Sequence, residues 1–346
     1  MVLSVLWQRR LVLKSTCWAR WVRLVAIICI ICWGCRSEKA PAERRDPIKP
    51  LQIPATASSG LSAAGRPAIL YLPGSGLGIV PSAPLEQPRG IWDHALDARR
   101  RCPSEMVDIE GEFCVDRYEA SLVDRGTRRP LSPYFPPSRG DIQASLERGE
   151  LLRERAPTAL GRSMPIPQPA EYELTGEVTP MAVSLPGELP HGYMSGQTAT
   201  SACRNAGKRL CTASEWRRAC RGQGRSRFPY GNEYRQGACN VFRATHPARV
   251  LHADPSLHHL DPRLNLVTDS EGPLLRKTGA VGTCRSAFGS DAVYDMVGNL
   301  DEWVAGPPGV FLGGFYSRAT REGCDAEISS HAFEYLDYSL GFRCCL

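Results

Sequence analysis

No C-x-x-C pair occurs among the ten cysteines from Cys102 to Cys345. That absence excludes the ligand spacing of a zinc ribbon and the paired thiols of a thioredoxin-type site. The apolar run Leu24–Trp33 has only ten residues, against about 20 needed for a permanent membrane-spanning helix. Residues 1–34 contain no acidic side chain, yet they hold Arg9, Arg10, Lys14, Arg20 and Arg23. Formal net charge is +6, and subtracting those five leaves about +1. The basic balance therefore belongs to the N-terminal segment, and nothing points to a nucleic-acid partner. The Gly-rich segment Ile69–Gly78 lacks both the Lys-Ser/Thr end of a phosphate-cradling loop and the full G-x-G-x-x-G spacing, so it reads as a loop or short strand. No internal repeat is visible.

What is present begins with a long basic stretch, a short apolar run and Gly34-Cys35. This is the pattern of a secretory signal over residues 1–35. A short apolar run ending in Gly-Cys resembles a bacterial lipobox, in which Cys35 becomes lipidated and starts the mature chain. Cys32 and Trp33 depart from that pattern, and an ordinary signal peptide or an uncleaved anchor is the alternative. Either reading places the protein in the cell envelope, on the extracytoplasmic side, in the periplasm or at the cell surface. Four of the fourteen cysteines fall in this segment. The other ten are an even number in a chain bound for an oxidising compartment, which predicts a disulfide framework.

Residues 36–103 are rich in Pro, Ala, Ser and charge over their first half and read as a flexible tether. A loop-rich insertion is expected over about 126–192. Within it, Ile142, Leu146, Leu151 and Leu152 fall at helical spacing and predict a surface helix over 141–154. Residues 168–190 carry many Pro and Gly and predict a long loop. Arg139-Gly140-Asp141 spells an adhesion tripeptide, a match short enough to arise by chance. Residues 198–221 are the clearest helical region. Ser195 or Thr198 can cap a first helix, Gly207 ends it, and Thr212 with Glu215 forms a capping box for a second, whose Trp216, Ala219 and Cys220 face the core. The remaining apolar runs are short and split by Gly and Pro, which predicts an α+β domain with short strands and much irregular structure.

The stretch Tyr294-Asp-Met-Val-Gly-Asn-Leu-Asp-Glu-Trp303 holds the strongest chemical signal. Asp295 and Glu302 offer carboxylates, Gly298 and Leu300 offer carbonyls, and Gly298 permits a tight turn. Ca²⁺ takes such hard oxygen ligands. A strand followed by an acidic turn would look the same. His252, His258 and His259 lie on a polar stretch where adjacent histidines point apart, and a solvated loop is the simpler reading. Asp116, Arg117 and Glu119 are expected in internal ion pairs, and Phe228, Tyr230 and Trp303 in the core.

The order of segments adds more. Met106–Phe113 and Val115–Glu119 precede Ala202–Leu210, Thr212–Trp216 and Ala219–Gly222. Phe228–Gly231, Asn240, Tyr294–Trp303, Gly313-Gly314 and Gly341-Phe-Arg-Cys344 follow. Over residues 104–346, with gaps, this resembles the sulfatase-modifying-factor domain, the formylglycine-generating-enzyme fold related to C-type lectins. The resemblance implies a copper-binding cysteine pair after a Gly-Gly-Ser-aromatic stretch, which oxidises a cysteine of a sulfatase to formylglycine. Here Phe315 takes the serine position and Arg318 that of the first reactive cysteine; no cysteine stands before Cys324. Free, adjacent thiolates are needed for copper, so copper is not expected, and Cys324 is the only weak catalytic candidate. The ergothioneine-making branch carries an added helical domain that has no counterpart here.

The resemblance also implies the disulfides Cys203–Cys344 and Cys220–Cys324. Closing loops of over a hundred residues adds about 4–5 kcal/mol each in loop-closure entropy. The other six cysteines allow fifteen pairings; Cys102–Cys114 and Cys239–Cys284 are preferred, which leaves Cys211–Cys345. Two calcium ions are implied as well. One is held by Asp295, Gly298, Leu300 and Glu302; the other by Asn240 and the carbonyl of Val241, with Asp254 or Asp261 as substitutes for diverged partners. A retained scaffold with a replaced reactive site predicts a membrane-anchored, non-catalytic binding domain for a protein, peptide or glycan. The rivals are a formylglycine-generating oxidase and a structural envelope protein.

Overall fold

Cys102 is buried in a disulfide with Cys114. The computed structural model describes residues 101–346. The expected signal, Cys35 and nearly all of the spacer lie outside the described residues.

Strands β1 (Met106–Ile109) and β2 (Phe113–Asp116) form an antiparallel hairpin. Its turn places Glu110 and Gly111 at φ 52 and 78, the left-handed pair that matches strand twist. Strand β3 (Ser121–Asp124) follows, then helices α1 (Arg139–Arg155), α2 (Ala159–Ser163) and α3 (Glu171–Thr175), and strand β4 (Pro180–Val183), which returns antiparallel to β3. The region expected as one long loop over 168–190 thus contains a helical turn and a strand. The run Pro180–Val183 is too short to show a period, and pairing with β3 decides its conformation. Helix α1 starts at Ser138, whose hydroxyl accepts from the Asp141 amide, and buries Ile142, Ser145 and Gly149. Three of the four apolar residues that predicted this helix are not in the core, and Leu151 is 43% exposed. Gly149 lets α1 close on Ile166 and Pro262, which a Cβ would meet at 3.0 and 3.1 Å. The adhesion tripeptide forms the first turn of α1 and not a displayed loop.

Helix α4 (Gly196–Asn205) is capped by Ser195 and is followed by β5 (Arg209–Leu210). Helix α5 (Ala213–Cys220) has the Thr212–Glu215 capping box and buries Trp216, Ala219 and Cys220, as the spacing predicts. Helix α6 (Pro247–His252) leads to two hairpins, β6 (Thr268–Asp269) with β7 (Gly272–Pro273) and β8 (Arg285–Phe288) with β9 (Asp291–Tyr294). The chain ends with β10 (Asp301–Trp303), β11 (Phe311–Leu312), β12 (Glu327–Ile328), β13 (Leu340–Phe342) and β14 (Cys344–Cys345). This is an α+β fold with short strands, disulfide-rich throughout.

The last seven residues tie the sheets together. Strand β13 runs parallel to β10 in the sheet β12-β11-β10-β13, while β14 enters the sheet β1-β2-β14-β5. Cys344 and Cys345, on opposite faces of β14, bridge to Cys203 on α4 and Cys211 after β5. The fully buried Trp216 and Trp303 lie in two separate core clusters.

Candidate functional site

Between β13 and β14 stands Arg343, wholly buried. Its Nε and one terminal nitrogen each donate at 2.6 Å to Glu302, and it also donates to the carbonyls of Asp116 and Tyr294. The Trp216 indole donates to the same Glu302 carboxylate at 2.8 Å. Two further carboxylates share this buried space. Asp295 accepts from the Gly279 amide at 2.6 Å; burial pushes its carboxyl up to about 6, with Glu302 adding to the rise and Arg343 opposing it. Glu119 accepts from the Asn299 side chain and the Leu300 amide. Its carboxyl is raised well above the carboxylate range by burial and then by the charges of Asp295 and Glu302. Three buried carboxylates therefore face one guanidinium, a surplus of negative charge that is costly in a low-dielectric interior.

The loop from β9 to β10 is built for this convergence. Asp295, Gly298 and Asn299 all have left-handed backbones, at φ 56, 84 and 60. A Cβ at Gly298 would sit 2.3 Å from the Asn240 carbonyl oxygen, so only glycine permits the approach. No donor among the described residues reaches the Gly298 carbonyl. Asp295 and Glu302 share one buried anionic neighbourhood, with Gly298 and Leu300 on the same loop, and both Glu302 oxygens already accept from Arg343 or Trp216. Among the described residues, no three His, Cys, Asp or Glu side chains are grouped to hold a metal by themselves; a cation here relies on carbonyls.

At Asn240 a different cation is already present. The Arg243 guanidinium lies 3.3 Å from the Asn240 side-chain oxygen, bonds Asp269, and reaches the carbonyls of Gly272 and Pro273 at 3.4 and 3.5 Å. Glu271 completes the group at 3.6 Å. Asp261 is held by Arg263 and His252, and Asp254 folds back on Ser256. Both are committed to neighbours of their own.

The segment after β11 turns through Gly313 and Gly314, at φ 96 and 77. Arg318 then pairs with Asp301 at 2.5 Å, and Asp301 also accepts from the Gly314 amide. Burial raises the Asp301 carboxyl to about 7, against the pull of Arg318. Cys324, the only cysteine between Gly314 and Cys344, is fully buried in a disulfide with Cys220.

The profile of the sulfatase-modifying factor enzyme 1-like domain matches residues 178–344. Those residues are a sulfatase-modifying-factor domain. Two solved structures are similar to the chain. CarF is 14% identical, with 67% of this chain and 85% of that chain covered and a TM-score of 0.30. PvdO from Pseudomonas aeruginosa is 16% identical, with 67% and 79% covered and a TM-score of 0.32. No curated protein sequence matches the chain.

Every cysteine of the described residues is in a disulfide: Cys102–Cys114, Cys203–Cys344, Cys211–Cys345, Cys220–Cys324 and Cys239–Cys284. The first six elements, β1 to α3 over residues 106–175, precede the matched sulfatase-modifying-factor profile, yet β2 supplies Asp116 and is followed by Glu119. The charged cluster expected to pair internally does so only in part. Asp116 pairs with Lys208 and Arg117 with Asp291, whereas Glu119 meets neutral amides. Phe228 and Trp303 are core residues, and Tyr230 is half-buried. His252 bonds Asp261 at 2.9 Å, while His259 turns away to the Pro255 carbonyl and the Tyr338 ring. Sequence reasoning missed Arg243, Asp301 and the role of Glu119. The last had a visible signal: an acidic residue between Tyr118 and Ala120 leading into an apolar strand.

Proposed function

We propose that this protein is an exported, membrane-tethered and non-catalytic binding domain of the formylglycine-generating-enzyme family, stabilised by its disulfides and by one Ca²⁺. The observation that carries this reading is the Cys220–Cys324 bridge. It removes the one thiol between the Gly-Gly stretch and Cys344, while Arg318, matched to the first reactive cysteine, is neutralised by Asp301. A copper-assisted oxidation needs thiolates, and a disulfide sulfur is neither a strong ligand nor a nucleophile. Ten cysteines in five bridges also suit an oxidising, extracytoplasmic compartment. Among the described residues no helix is long and apolar enough to cross a membrane; the tether is assigned to the N-terminal segment and Cys35.

Asp295, Gly298, Leu300 and Glu302 would hold the Ca²⁺. Bound there, the ion supplies positive charge against Glu119, Asp295 and Glu302 and so stiffens the loop between β9 and β10. The second implied ion, at Asn240 and Val241, is replaced in this reading by the Arg243 guanidinium, which gathers an amide oxygen, two carbonyls and two carboxylates.

The test is to incubate the full chain with copper, oxygen, a mild reductant and a peptide bearing a sulfatase-type cysteine motif, beside an active family enzyme. Mass spectrometry reads conversion of the cysteine to the aldehyde. No conversion is expected. Conversion would establish the oxidase instead, with Cys324 the first residue to replace.

A further inference from the structure

Three cavities of about 610, 580 and 560 Å³ lie end to end on this domain. The first and second share Tyr118 and Pro186; the second and third share Gly282 and Arg285. They form one trough, which runs from the C-terminal end of α4 past the Tyr118 ring to the β8–β9 hairpin.

The trough is basic. The first cavity contains Arg117, Arg125, Arg128 and Lys208, the second Lys277 and Arg285, and the third adds Arg221 and Arg235. Glu105 is the only carboxylate lining any of the three. Some of these charges are answered locally: Lys208 by Asp116 and Glu105, Arg117 by Asp291, Arg221 by Asp325. Arg125, Lys277 and Arg285 are exposed and meet no carboxylate among the described residues. Uncompensated charge of one sign in a concave wall focuses the field and raises the local concentration of counter-ions.

Aromatic faces accompany the charges. Tyr118 and Tyr294 stack at 5.2 Å and 18° where the first two cavities meet, and both are half-buried. Tyr230, in the third cavity, is already covered by the stacked Phe228 ring at 5.3 Å and by the Arg235 guanidinium, 4.7 Å from its ring centre. Rings beside cations suit sugar rings that carry acidic groups. Two carbonyls at the strand edges beside the trough, in contrast, are already engaged. The Ala287 carbonyl of β8 accepts from the Gln223 amide, and the Pro180 carbonyl of β4 accepts from the Asn205 side chain. An extended peptide would lose those two carbonyls as pairing partners.

We propose that this trough binds an acidic polysaccharide, held by Arg125, Lys277 and Arg285 through its charges and by Tyr118 through its ring faces. The proposal deepens the binding-domain reading and rests on it, but it concerns a surface apart from Arg318 and Cys324. The aldehyde assay above reports on that reading, and the binding experiment below reports on the trough alone.

The experiment titrates the full chain in detergent with a polygalacturonate decamer by calorimetry. The methyl-esterified decamer and decaglutamate serve as comparisons, at 20 and 200 mM salt as rough limits on screening. The decamer is expected to bind, with both comparisons at least about tenfold weaker, and to weaken at the higher salt. A triple variant, Arg125→Ala with Lys277→Ala and Arg285→Ala, is expected to bind at least about tenfold less tightly while keeping its circular dichroism spectrum, because these exposed side chains support nothing in the core. Absence of heat with the decamer overturns the proposal. Decaglutamate binding as tightly as the decamer, or unchanged binding by the triple variant, overturns it too.

Discussion

Arg343 grips both carboxylate oxygens of Glu302, each at 2.6 Å, from a position wholly inside the protein. The pair joins β10 to the segment between β13 and β14, and through the Asp116 and Tyr294 carbonyls it also reaches β2 and β9. Removing one partner leaves a buried charge unanswered. Arg343→Met is expected to cost about 3–5 kcal/mol, read by urea unfolding. Arg343→Lys should recover little of this, because an ammonium cannot form the two-pronged contact. Full recovery by lysine would show that charge alone matters there.

The five disulfides predict no titratable thiol among residues 101–346. Ellman's reagent, added to the protein unfolded without reductant, should report none from residues 101–346. One thiol per chain or more would reopen the oxidase reading. Cys220→Ala with Cys324→Ala removes a bridge spanning 104 residues, which should lower stability by about 4 kcal/mol or less, depending on native strain.

Calcium should raise the melting temperature of chelator-treated protein at pH 7, and Asp295→Asn should abolish most of that rise. Asn keeps the size and the amide oxygen but removes the charge that a hard cation needs. A melting temperature indifferent to calcium would mean that protons, and not an ion, relieve the Glu119–Asp295–Glu302 cluster.

Arg243→Ala is expected to destabilise the protein and to make it more sensitive to calcium than the parent. The substitution strands the Asp269 carboxylate beside the Asn240 oxygen, which is the arrangement a divalent cation would occupy. Equal calcium response in parent and variant would argue that Arg243 has replaced nothing.

His191 is buried with one ring nitrogen on the Phe135 carbonyl and the other without a partner. Burial lowers its pKa to about 4, below the ordinary value of 6.5. Its folded pKa is depressed, so the unfolded chain takes up the proton first as pH falls. The destabilisation is absent above pH 6.5, grows below it, and levels off near pH 4. Over that window the parent should lose roughly 3 kcal/mol relative to His191→Gln, which keeps a donor but does not titrate. Parallel stability curves for the two proteins would sink this assignment.

Local signals in the sequence were strong where the physics is local. The Thr212–Glu215 box starts a helix in isolation from any tertiary contact, because cap and partner are three residues apart. Gly298 could be read as a turn because its left-handed backbone is a property of one residue. Asp301 was harder. Beside Glu302 in one strand it must point to the opposite face, and that alternation separates the Arg343 pair from the Arg318 pair. Strand β4 was hidden in a Pro- and Gly-rich region because four residues carry no usable period; its partner β3 lies across the whole α1–α3 insertion.

By itself, the sequence determined the likeness of residues 178–344 to a sulfatase-modifying-factor domain, the mixed helix-and-strand character, the even set of ten cysteines from Cys102 onward and the absence of a cysteine between Gly314 and Cys324. Those follow from residue identity and order along the chain. Only the tertiary structure decided that Arg343 takes Glu302, that Arg243 stands at Asn240, and that Arg125, Lys277 and Arg285 share one trough. Such contacts join residues far apart in sequence, and charges interact through distance in space, to which order along the chain is blind.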